Sequence, residues 1–188
     1  MDEIVKATRH FIMRDVIFIL SGGTVIGSTL HLFDKLPSPN DSWVLYGLLA
    51  GVGYFIAYAI QDMLCLTHLI TTTHINKPCW FIRLIYKLYM HEKWQEIDIN
   101  IDEIVQTFGD DDEARYEFER LVMFQLIGTA GGSCMLASGV LFFVRWAWYL
   151  EKFDFFVAIA GTLLGLSLII LSWLKGAQRA QFMSRIRK

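Results

Sequence analysis

Residues 155–174 read FFVAIAGTLLGLSLIILSWL. The stretch carries no charged side chain, and at roughly 1.5 Å rise per residue a helix of about 20 residues spans about 30 Å, the thickness of a hydrocarbon core. Working outward, three further blocks have the same character: Val16–Phe33, Trp43–Leu66 and Leu121–Val144. The chain is 54% hydrophobic and its mean hydropathy is +0.41. A soluble domain seldom has a positive mean hydropathy, and the apolar excess is concentrated in these four blocks. The reading is an all-α polytopic membrane protein with four transmembrane helices.

The first block is not read as a secretory signal. Basic residues precede it, but no Ala-x-Ala site follows, and DKLPSPNDSW (34–43) leads directly into the second block. Pro37 and Pro39 among Ser, Asn and Asp are turn chemistry. Two hairpins result, 16–66 and 119–174, joined by a helical segment 67–118 and flanked by an amphipathic N-terminus (1–15) and a basic tail (175–188).

Lys and Arg set the orientation. Lys6, Arg9 and Arg14 precede the first block, Lys77, Arg83, Lys87, Lys93, Arg115 and Arg120 lie in or beside the central segment, and Lys175, Arg179, Arg185, Arg187 and Lys188 follow the last block. The two short loops on the other side hold only Lys35, Arg145 and Lys152. The positive-inside rule therefore puts both termini and the central segment in the cytoplasm, with the chain in a plasma (inner) membrane. Trp43, Trp146, Trp148 and Tyr149 supply an aromatic belt at the outer interface.

Within the central segment, Trp80–Met90 (WFIRLIYKLYM) is strongly apolar, with Arg83 and Lys87 four apart. Two readings stand: a helix lying along the headgroups with its cations snorkelling, or a helix packed inside a small cytoplasmic layer. Ile101, Ile104, Val105 and Phe108 fit a helix face, Gly109 ends it, and Asp110–Asp112 open a helix that runs on into the third block.

Every block carries a G-x-x-x-G: Gly23/Gly27, Gly47/Gly51, Gly128/Gly132 and Gly161/Gly165. In lipid no hydrophobic force drives helices together, so close backbone approach supplies the association energy. The expectation is a tight bundle. The alternative, supported by Ser21, Thr24 and Ser28, is that some of these faces line a pore, although a hydroxyl can return its bond to its own helix. Ser21-Gly22-Gly23-Thr24 also aligns with Ala130-Gly131-Gly132-Ser133, a possible duplication of the hairpin.

Polar residues inside the blocks are the other candidates: His31 near the outer end, Gln61, Asp62 and Gln125 near the inner end. Asp62 suits an ion pair with Arg14 or Arg120, and His31 an interfacial hydrogen bond. Cys65, His68, His74 and Cys79 offer two thiols and two imidazoles, a weak zinc candidate because the spacing matches no compact zinc pattern. The three cysteines form no disulfide framework. No phosphate-binding loop, nucleophile elbow or H-E-x-x-H is present, and acids outnumber bases in the central segment, which argues against nucleic acid.

No cofactor and no enzymatic activity are expected. The leading expectation is a homo-oligomeric channel or pore subunit gated by its cytoplasmic helices. The alternative is a non-enzymatic accessory or immunity-type protein that binds another membrane protein.

Overall fold

A computed structural model describes residues 2–37, 43–67, 69–70, 80, 83–84, 87–88 and 112–186. The described residues are helical: α1 Asp2–Leu32, α2 Trp43–Leu66, α3 Asp112–Leu126, a π-helical turn Ile127–Gly131, α4 Gly132–Tyr149 and α5 Lys152–Ile186. Because α3, the π turn and α4 are continuous, four rods are long and apolar enough to cross a membrane, over Met13–Leu32, Trp43–Leu66, Tyr116–Tyr149 and Lys152–Arg179. The helix face expected from Ile101, Ile104, Val105 and Phe108, its end at Gly109 and the Pro39 part of the first turn lie outside the described residues.

The helix ends are set locally. After α1, Asp34 takes a left-handed backbone (φ 54°). The Asp34 N–H then reaches the His31 carbonyl (3.1 Å) and the Lys35 N–H the Leu30 carbonyl (2.8 Å). That pair of bonds is a Schellman closure, and a short polar Asp tolerates the left-handed site better than most residues. At the end of α4, Leu150 takes the same backbone region (φ 57°), its N–H bound to the Trp146 carbonyl at 2.7 Å. Leu150 and Glu151 alone separate α4 from α5.

α5 runs antiparallel to α3–α4 at near-backbone contact. A Cβ on Gly128 would stand 2.5 Å from the Leu168 carbonyl oxygen. One on Gly132 would lie 3.0 Å from the Gly165 carbonyl oxygen, and one on Gly139 3.1 Å from that of Ala158. Only glycine permits this approach. On the other side α1 packs antiparallel on α2, with Gly22 directly over Gly53. One buried cluster, Phe18, Val25, Ala57, Ala130 and Cys134, joins α1 and α2 to the π turn and α4. Phe18 stacks on Tyr58 with ring centroids 3.9 Å apart. A second cluster, Ile70, Ile169 and Trp173, fastens the chain beyond α2 to α5, where the Trp173 indole N–H donates to the Leu69 carbonyl at 2.7 Å.

The π turn was not expected from the sequence. It adds a residue to the i→i−4 ladder inside an otherwise regular rod. The Gly132 N–H is shared between the Gly128 and Thr129 carbonyls. Thr129 donates its hydroxyl to the Leu126 carbonyl (3.1 Å) and Ser133 donates to Thr129, so side chains complete the bonding the ladder loses.

Candidate functional site

The densest polar constellation lies at the end of the bundle that holds the two short connections. Asp154, in the first turn of α5, is fully buried. One carboxylate oxygen accepts from Arg145 Nε at 3.0 Å, and the other lies 3.1 Å from His31 Nε2. Arg145, on the last turns of α4, is only 6% exposed. Its Nη1 donates to the carbonyl of His31 and, at 3.4 Å, to that of Leu32, and lies 2.9 Å from Asp34 Oδ1. Its guanidinium sits 4.8 Å from the Tyr149 ring centroid, and the His31 ring packs 5.1 Å from that of Phe142.

Each charge sits where helix geometry favours it. Arg145 is a cation at the C-terminal carbonyls of α1, and Asp154 is an anion at the positive N-terminus of α5. The planar guanidinium fork serves three elements at once, which an ammonium could not do with the same geometry. The set ties α1, α4 and α5 together. With one Arg and two Asp its formal charge is −1 when His31 is neutral and zero when it is protonated. It contains no nucleophile beside a base.

The sequence reading placed His31 at the end of its helix as a hydrogen-bonding residue. It missed the carboxylate that His31 meets, and it treated Arg145 only as an orientation charge. A signal was available: Arg145 and Asp154 flank a two-residue turn at positions that the antiparallel register of α4 and α5 brings level.

Along the α1–α4 contact the two helices run parallel. Ser138 donates to the Thr24 hydroxyl at 3.4 Å, and a Cβ on Gly131 would stand 3.8 Å from Ser21 Oγ. The hydroxyls here mostly serve their own helices: Thr24 donates to the Ser21 carbonyl (2.7 Å), Ser28 to Thr24 (2.8 Å) and Thr29 to Val25 (2.8 Å). The seam is therefore bonded without invoking water.

The glycines divide into two sets. Gly128, Gly132, Gly161 and Gly165 lie in the α3–α4/α5 contact, whereas Gly23, Gly27, Gly47 and Gly51 have open space where a Cβ would project. The α1–α2 approach uses Gly22 and Gly53 instead. The spacing was legible in all four helices. Its facing was not, because a one-residue shift turns a helix by about 100°.

Near the opposite end, Gln61 and Gln125 are buried, with Gln125 lying against Gly176. The Gln61 Oε1 atom meets no hydrogen-bond partner among the described residues. Asp62 is exposed, while Arg14 pairs with Asp15 (3.3 Å) and Arg120 with Glu117 (3.7 Å). Cys65 is half-buried beside Leu69 and Ile70. His68, His74 and Cys79 lie outside the described residues. Among the described residues no group of three His, Cys, Asp or Glu side chains could hold a metal. No family model, curated protein or solved structure matches the chain.

Proposed function

We propose that the protein is a non-enzymatic accessory subunit of a membrane, acting by helix–helix association through the outward glycine face of α1. In this reading the chain forms two transmembrane hairpins with both termini and the 67–118 segment in the cytoplasm, and it sits in a plasma (inner) membrane. The observation that carries the proposal is the open space over Gly23 and Gly27. Small residues that pack nothing within the chain still permit close approach by a helix from outside it. Among the described residues, Phe18, Ala57, Ala130 and Cys134 pack together between the rods. Large outward side chains such as Leu20, Leu48, Phe55 and Leu163 are apolar and suit lipid or a helix rather than a water column.

The channel is the second reading, with a conduit between identical copies rather than through one chain. Open glycines on an apolar outer face also permit self-association, which favours it.

Native mass measurement after gentle extraction, combined with liposome ion flux, separates the two. The accessory reading expects a stoichiometric complex, lost on Gly23→Leu or Gly27→Leu, and no conductance. A homo-oligomer that conducts ions transfers the assignment to the channel, and a bare monomer that conducts nothing defeats both.

A further inference from the structure

We infer that Trp80, Arg83, Leu84, Lys87 and Leu88 form an edge that lies in the membrane plane and docks on the anionic headgroups of the same bilayer. The described residues 80, 83, 84, 87 and 88 all have helical backbone. Trp80, Leu84 and Leu88 recur every four residues and so share one stripe, and they are 76%, 48% and 68% exposed. Arg83 and Lys87, both exposed, border the stripe along one edge. A helix packed inside a cytoplasmic layer would hide the stripe instead of presenting it.

The occupant follows from charge and tether. From Lys77 to His91 the sequence holds Lys77, Arg83 and Lys87 and no Asp or Glu, whereas acids crowd the stretch that follows. A basic, aromatic helix edge fits anionic lipid: its cations reach the phosphates while Trp and Leu enter the acyl boundary. The segment is also held close to the bilayer. Ile70 is fully buried against Ile169 and Trp173, within the apolar span Lys152–Arg179. Nine residues separate that anchor from Trp80, so the two lie at most about 35 Å apart. The inference is independent of the accessory reading, since docking is intramolecular to the membrane and involves neither α1 nor α2.

The test uses the full chain in nanodiscs of phosphatidylcholine with and without phosphatidylglycerol, its native cysteines replaced and a nitroxide placed by Leu84→Cys or, in a second variant, Leu88→Cys. Collision with dissolved oxygen reports acyl-chain depth, and collision with a water-soluble nickel chelate reports solvent. Oxygen should dominate at both sites in the anionic discs. Arg83→Gln and Lys87→Gln should each lower the docked-to-undocked ratio about fivefold. Nickel dominance in both compositions, or shielding from both reagents, overturns the proposal. Oxygen dominance that is indifferent to phosphatidylglycerol and to both Gln variants overturns headgroup recognition as its basis.

Discussion

Adjacent glycines on α1 should respond oppositely to one methyl group. In Gly22→Ala the new Cβ would overlap the Gly53 carbonyl and stand 2.8 Å from its Cα. Ordinary van der Waals contact begins near 3.4 Å, and the obstacle is backbone, so no rotamer change relieves it. Clearing the carbonyl requires α1 and α2 to part by more than about one ångström. A gap of 0.5–1 Å forfeits roughly a quarter to a half of each dispersion well, and overpacking of this kind costs about 1–3 kcal/mol. Helix propensity offsets up to about 1 kcal/mol of that, since Ala is favoured over Gly. In Gly23→Ala nothing lies within 4 Å of the new Cβ, so only the propensity gain remains. Equilibrium unfolding in mixed micelles at increasing SDS, followed by circular dichroism, measures both. Gly22→Ala should unfold at lower SDS than the parent and Gly23→Ala at equal or higher SDS. Equal destabilisation by the two would refute the facing assigned to α1.

Arg145→Met should lower the unfolding midpoint by stranding Asp154 without its charge partner, whereas Arg145→Met with Asp154→Leu should recover much of the loss; a double variant no better than the single one would contradict a buried pair. Ser138→Ala should change stability by less than about 1 kcal/mol, because its bond to Thr24 is long and hydroxyl bonds between membrane helices average about 0.6 kcal/mol. Trp173→Phe removes the donor to the Leu69 carbonyl, which should cost about 1 kcal/mol and speed amide exchange at the end of α2, with exchange unchanged there counting against the anchor.

Much of the architecture was legible in the sequence because lipid imposes a length and a hydropathy that few other environments demand. The spans begin and end within a few residues of the apolar blocks, and the Gly128–Gly132 and Gly161–Gly165 spacings do fall where two helices meet. The π turn was invisible, because IGTAG differs little in composition from the helix around it. The choice between Gly22 and Gly23 was equally hidden, since the spacing motif counts residues whereas contact depends on rotation about the helix axis. The Arg145–Asp154–His31 set was overlooked for a different reason. Its members lie in three helices, and only the register of a tight turn brings Asp154 level with Arg145. His31, read correctly as lying at a helix end, turned out to share a carboxylate with that arginine.

The central claim is that the outward glycine face of α1 receives a helix from another membrane protein. It is tested most directly by a photocrosslinking side chain substituted at Leu20, an exposed residue one heptad before Gly27 on the same stripe, in intact membranes, with Leu163 on the outward face of α5 as the comparison site. The account predicts one protein adduct of defined mass from position 20, abolished by Gly27→Leu, and lipid adducts alone from position 163. Lipid adducts alone from both positions would contradict it.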